Sequence, residues 1–207
     1  MNQYIVDTEH AAKGLINAIF EEEKKLLEIE EKYAKLSAIY NILKMQYLGS
    51  DDPTDIDDPE VIEKLALMST FSSVHNLPSL GQEVTALKRS LANKALSIDA
   101  LSGALLQIAK QGISTVYGGL SSCNEGRAIG LQSLKTVVWE ARNQANHCEE
   151  GNPKRNVKEC FEKLKTDFGT KFDITIEPTK SKAKSILDLL EWKNYENYLR
   201  DLESLLG

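Results

Sequence analysis

Cysteine is scarce in this chain, and its scarcity excludes a disulfide framework. The 207 residues hold Cys123, Cys148 and Cys160, with no Cys-x-x-Cys pair and an odd thiol left over if any two bridge. They read as small packing residues kept reduced, and no metal is expected at them. Histidine is equally sparse, at His10, His75 and His147, so no His-Glu-x-x-His zinc helix exists. A glycine-rich phosphate loop and a Gly-x-Ser-x-Gly elbow are missing as well, and no cofactor is expected. No apolar run approaches the ~20 residues that cross a bilayer. Residues 1–9 are polar and acidic, not a basic stretch leading into an apolar one, so the expectation is a cytoplasmic protein without membrane contact. Positive charge is also short: the net charge of −6 excludes general adhesion to nucleic acid. The charge is uneven, however. Residues 1–60 carry six Lys/Arg against fourteen Asp/Glu, whereas 126–165 carry eight against five, so a local phosphate-binding patch stays open in the later segment.

What is abundant is helical periodicity. Leu26, Ile29, Tyr33, Leu36, Tyr40, Leu43 and Tyr47 step by three and four, which is a heptad seam spanning roughly 30 Å at 1.5 Å per residue. With Leu15, Ile16 and Ile19 before it, this helix is expected to begin near Thr8 and to end at Gly49-Ser50, ahead of an acidic, proline-bearing loop. Asp58 and Pro59 are a cap and first residue for a shorter helix over 59–71, followed by a loop holding Asn76 and Pro78. Val84, Leu87, Leu91, Ile98, Leu101, Leu105 and Ile108 then repeat the stepping, interrupted at Lys94. Pairing of the two stripes predicts a long antiparallel hairpin, either structural or presenting a face to another chain.

Glycines from Gly112 to Gly130 predict a loop-rich passage. Ser133 can cap a helix through Leu134, Val137, Val138, Ala141 and Ala145, with Gly151 closing it in the left-handed conformation. Asn152-Pro153 opens another, with Val157, Cys160, Phe161, Leu164 and Phe168 on one face and Gly169 as its stop. Residues 172–176 alternate like a short strand, but with no partner strand in view no sheet is built on them. Ser181 leads into a terminal amphipathic helix containing Ile186, Leu189, Leu190, Leu199, Leu202 and Leu206. The expectation is an all-α antiparallel helical bundle with a long coiled-coil-like hairpin, forming a single domain over 1–207. Its hairpin covers 8–110, two further helices 131–169 and the terminal helix 180–206. The expected core includes Leu36, Leu43, Leu91, Leu101, Leu105, Val138, Phe161 and Leu164.

Chemistry concentrates in one place. His10 and His75 stand without neighbouring ligands or nucleophiles, so solvated or capping roles are expected of them. His147 ends the run Trp139-Glu140-Ala141-Arg142-Asn143-Gln144-Ala145-Asn146-His147, which packs polar groups into the last turns of one helix. Asn143 and His147 are stacked, Glu140 lies one turn below Asn143, and Arg142 with Asn146 forms the adjoining row. Arg142 and His147 are about 140° apart round the helix, so one helix presents them imperfectly. Two copies meeting about a two-fold axis would let the arginine of one complement the histidine of the other.

Arg142-Asn143 followed by His147, near the end of a helical bundle, resembles the Arg-(four to six residues)-His motif of the HEPN superfamily, including the polar residue that commonly follows the arginine. The resemblance is carried by residues 126–169, about a fifth of the chain. Many HEPN proteins are metal-independent endoribonucleases of prokaryotic toxin–antitoxin, phage-defence and CRISPR systems, and they act as dimers with a composite site. The resemblance therefore implies a homodimer acting on RNA, with an antitoxin-like or nucleotidyltransferase-like protein as a further partner. Glu149 stands where one HEPN toxin group has a tyrosine, so silencing through modification of that tyrosine is not carried over.

Residue chemistry fits that activity. Metal-free RNA cleavage needs proton transfer at the 2′-hydroxyl and the departing 5′-oxygen, plus a cation for the phosphorane. An imidazole titrates near neutrality, and a guanidinium is a permanently charged forked donor. His147 and Arg142 are the expected catalytic groups. Asn143 would orient the imidazole or bond a phosphate oxygen, and Glu140 and Asn146 would support them. Lys154 and Arg155 are expected to contact RNA phosphates, while Glu149 and Glu150 would repel them. Two alternatives use the same residues: a non-catalytic RNA-binding or adaptor module, and a structural interaction protein whose polar row fixes a dimer interface.

Overall fold

A computed structural model describes residues 2–48, 62–63, 66–67, 69–70 and 76–207. Among them are six α-helices: α1 (Gln3–Leu48), α2 (Leu77–Tyr117), α3 (Leu134–His147), α4 (Arg155–Phe168), α5 (Ala183–Leu190) and α6 (Tyr195–Leu206). The only strands among the described residues are β1 (Ala128–Ile129) and β2 (Gln132–Ser133), an antiparallel two-residue pairing. The fold is thus an all-α bundle, and α1 and α2 pack against each other. Most of the short helix expected over 59–71, with its caps Asp58 and Pro59, lies outside the described residues; 62–63, 66–67 and 69–70 are helical.

Each long helix exceeds its predicted span. α1 starts at Gln3 because the Asn2 side-chain oxygen accepts the Tyr4 amide hydrogen at 3.0 Å, an entry signal placed ahead of the periodic residues. Pro78, expected in a loop, sits in the first turn of α2, where its missing N–H leaves no bond unmade. At the other end α2 passes through Gly112 to Tyr117 instead of entering a loop. Gly112 is there for close approach: an added Cβ would lie 2.8 Å from both the Tyr4 ring and Leu206. Tyr4 itself donates its hydroxyl to the Ile108 carbonyl at 2.8 Å.

The chain divides into two compact units, Lys24–Ala95 and the combination of Met1–Glu23 with Leu96–Gly207. In the first, Lys32 meets Glu83 at 2.8 Å and the Tyr40 ring lies against Gly81, so the two arms run antiparallel as a hairpin. No described side chain of this unit is fully buried; Leu36, Leu43 and Leu91, expected in the core, are only half-buried.

In the second unit the expectations for Leu105, Val138, Phe161 and Leu164 hold, while Leu101 is half-buried. Ile5, Ile16 and Ile19 of α1, Ile98, Leu106 and Ile113 of α2, and the apolar faces of α3 to α6 complete its core. Ser133 occupies the cap position of α3, but its hydroxyl pairs with the Thr136 hydroxyl at 3.0 Å and accepts no backbone N–H; Gly151 takes the expected left-handed conformation, φ 64°, after a short 3-10 turn. α4 starts two residues after Pro153, with Lys154 at its cap.

The terminal helix is broken in two. The Glu191 N–H donates to the Asp188 carbonyl at 3.2 Å and the Trp192 N–H to the Leu187 carbonyl at 3.0 Å, with Glu191 at φ 60°. This is the reverse turn that glycine usually makes at a helix end, and with a glutamate there the sequence hides it. Asn194 then caps α6, accepting from the Asn197 amide at 2.9 Å. The turn places Trp192 Nε1 2.8 Å from buried Asp201, which also accepts from Arg127 at 2.8 and 3.0 Å. Residues 172–176 are not a strand. Thr170–Phe172 forms a 3-10 turn, and the Asp173 carboxylate accepts from both the amide and the hydroxyl of Thr175, diverting the N–H a ladder would need.

Candidate active site

The polar residues of α3 face three different ways, and burial decides which. Glu140 and Gln144, one turn apart on the core side, are 5% and 3% exposed. Each is satisfied. Glu140 accepts from the Asn143 amide at 3.1 Å, and Gln144 spans a bend in the chain, donating to the Lys180 carbonyl at 2.8 Å and accepting from the Lys182 amide at 2.9 Å. Gln144, bonded to two backbone groups outside the helix, fixes α3 rotationally, because turning it would strand that buried amide, whereas the Glu140 partner lies on α3 itself.

Toward α2, Arg142 donates Nε to the side-chain oxygen of Gln107. Beside it the Lys110 ammonium lies 4.4 Å from the centre of the Trp139 ring and donates to Asn143 Oδ1 at 3.3 Å. Burial lowers the Lys110 pKa, and the neighbouring Arg142 charge lowers it further, against a smaller opposing effect from Glu140. Asn143 therefore bridges a lysine and a buried carboxylate and does not touch the imidazole it was expected to orient.

His147 lies elsewhere on the helix, with its side chain 51% exposed and Nδ1 2.8 Å from Glu150. Glu140, expected to hold either Arg142 or the histidine, holds neither; Gln107 and Glu150 take those tasks. When the carboxylate accepts from Nδ1–H, Nε2 is left with its lone pair free for a proton. The ring borders an open cleft of about 530 Å³, solvent at its mouth included, lined also by Asn143, Gln144, Lys154, Val157, Ile174 and Pro178. The 171–177 segment thus acquires a place: Asp173, held by Lys165 at 2.8 Å, keeps Ile174 buried at the cleft wall.

The structure brings Glu140, Asn143 and Arg142 together, adds Gln107 and Lys110 from α2, and sets Lys154 on the cleft that His147 borders. It does not join Arg142 to His147, which share no hydrogen bond within one chain. Asn146 is exposed next to the histidine, and Arg155 is exposed and paired with Glu159 at 2.7 Å. His10 is exposed, and His75 lies outside the described residues. Gln107 and Lys110 escaped the sequence reading because neither falls on the apolar stepping of α2; their i, i+3 spacing on the flank of that stripe is the only trace. Cys123 and Cys160 are buried and Cys148 half-buried, all three as free thiols, and burial pushes the Cys160 pKa up to about 12, as suits a packing residue. No group of ligating side chains among the described residues has the arrangement of a metal site, and no described helix is long and apolar enough to cross a membrane. Comparison with models of protein families, with curated proteins and with solved structures found no match.

Proposed function

We propose that this protein is a metal-independent endoribonuclease of the prokaryotic defence or toxin–antitoxin type, active as a homodimer whose composite site joins His147 of one copy to Arg142 of the other. One observation carries the reading: α3 is tied to the 180–182 backbone by the buried Gln144 while His147, at its end, keeps a half-exposed ring with a carboxylate on Nδ1. A purely structural helix end has no need of an imidazole so prepared.

In this mechanism His147 Nε2 takes the 2′-hydroxyl proton, the 2′-oxygen attacks phosphorus, and the bond to the 5′-oxygen breaks as that oxygen takes a proton from water, to which the imidazolium then returns its own. The products are a 2′,3′-cyclic phosphate and a 5′-hydroxyl. Arg142 offers guanidinium donors to the charge that grows on the phosphorane, and Lys154 supplies positive charge at the histidine's cleft. Glu150, a source of repulsion in the sequence, becomes the partner that sets the tautomer.

The test is incubation of purified protein with single-stranded RNA in EDTA. Cyclic phosphate ends are expected, and His147→Ala and Arg142→Ala should each lower the rate by ~10²–10⁴-fold while sedimentation still reports a dimer. A twofold loss rejects the assigned roles, and a monomer at tens of micromolar removes the composite site. The separation of Arg142 from His147 within one chain favours a rival reading, a non-catalytic RNA-binding module. It predicts that Arg142→Ala weakens RNA affinity although no cleavage product ever forms.

A further inference from the structure

Two cations stand side by side at the start of the polar run, and the buried Glu140 carboxylate exerts only the smallest of the influences on Lys110. Arg142 and Lys110 make no ion pair among the described residues; each is held by a neutral amide, Arg142 by Gln107 and Lys110 by Asn143 at 3.3 Å. An amide oxygen fixes a charged group in place but leaves its charge undiminished, whereas a carboxylate would cancel it. The nearby carboxylate that might have done so, Glu140, is turned to the Asn143 amide at 3.1 Å. The Lys110 ammonium also lies 4.4 Å from the centre of the Trp139 ring, which restricts where the charge can go. Like charges confined together, partly out of water, are unfavourable unless an anion joins them. The four terminal N–H groups of Arg142 and two of the three ammonium hydrogens of Lys110 have no partner among the described residues.

We propose that Lys110 and Arg142, positioned by Asn143 and Gln107, form a binding site for a backbone phosphodiester of single-stranded RNA. The assignment rests on RNA being the ligand of this protein, but not on turnover. The lowered pKa of Lys110, set first by burial and then by the Arg142 charge, agrees with it, since an anion between the two cations relieves the second of these.

A fluorescent single-stranded 2′-O-methyl oligoribonucleotide has no 2′-hydroxyl to attack, so its affinity for the unaltered full chain is readable by anisotropy between 50 and 200 mM salt. Lys110→Met keeps an unbranched apolar side chain of similar length and removes the charge. It should weaken binding about tenfold and flatten the slope of log affinity against log salt by about 0.7–1, one phosphate contact. Lys110→Arg should keep both close to the starting values. Lys110→Gln replaces the methionine variant if that one loses helical circular dichroism. The proposal is overturned by an unchanged salt slope in the neutral variant, by absence of binding to the unaltered protein, or by adenosine monophosphate competing as well as the oligonucleotide, which would mark a site for a free phosphate. Cleavage of ordinary RNA in parallel separates the two proposals. Cutting with an unchanged slope in Lys110→Met sinks only this site, whereas a Lys110-dependent slope without any cutting sinks only the nuclease.

Discussion

Helix α1 carries the same apolar stepping through both compact units, with different outcomes. Ile5, Ile16 and Ile19 are buried, while Leu36 and Leu43, further along the same helix, are half-exposed. The reason lies in what surrounds each stretch. In the unit of residues 24–95 the two long helices meet each other, and the described seam residues Leu36, Leu43 and Leu91 keep part of their surface in water. In the other unit four additional helices supply further layers, and residues such as Leu105, Val138 and Leu164 lose all contact with solvent. Polar residues follow suit: the first unit has exposed pairs such as Lys35 with Glu31 at 2.6 Å, the second commits Glu140, Gln144 and Asp201 to its interior. Heptad spacing specifies a face, then, but not how deep that face is buried.

The largest test of the contrast is a pair of truncations followed by urea denaturation. Phe161→Ala should cost about 3–5 kcal/mol, because its 1% exposed ring leaves a cavity, whereas Leu91→Ala, from a half-wet seam, should cost about 1 kcal/mol. Equal costs would break the comparison. A smaller effect is expected at Asp201. Asp201→Asn weakens the bonds to Arg127 and Trp192, and since half-exposed Arg127 can rehydrate, about 1–3 kcal/mol should be lost in thermal unfolding. Glu31→Gln in the exposed pair of the other unit should leave the midpoint in place.

The smallest effect is one of pH. Lys165, then the two bonds from Thr175, hold the Asp173 carboxyl well below its ordinary value of 3.8. A depressed carboxylate stabilises the native state at neutral pH, and that contribution fades as pH falls below the ordinary value and the carboxyl takes up a proton. Stability measured from pH 6 down to 2 should therefore decline less steeply in Asp173→Asn than in the parent, with the curves converging at the acid end. Parallel curves would detach the 171–177 segment from the acid response.

Much of this organisation is written locally. The antiparallel pairing of the long helices, the stop at Gly151 and the face of α4 around Phe161 are visible because each rests on spacing or on a residue with one conformational use. The break at Glu191 is not, since it depends on a turn that glutamate adopts only when Leu187 and Asp188 offer their carbonyls. The turn at 170–175 is hidden for a similar reason: the alternation is real, but Asp173 competes for the backbone. At the site, the sequence places Glu140, Arg142, Asn143 and His147 on one helix, yet Gln107 and Lys110, the partners of Arg142 and Asn143, arrive from α2, more than thirty residues earlier, through packing that no local pattern encodes.

The division of the chain at residues 24 and 95 also bears on length. The larger unit is built from both sides of the smaller one, so roughly seventy residues leave it and return. The entropic cost of such an excursion grows only logarithmically, by about 0.6 kcal/mol for each doubling. Removing one heptad from each arm keeps every seam residue on its face. The length of the hairpin is therefore a dimension this chain can vary while the surroundings of His147, set by α3, α4 and the segment around Ile174 and Pro178, stay as they are.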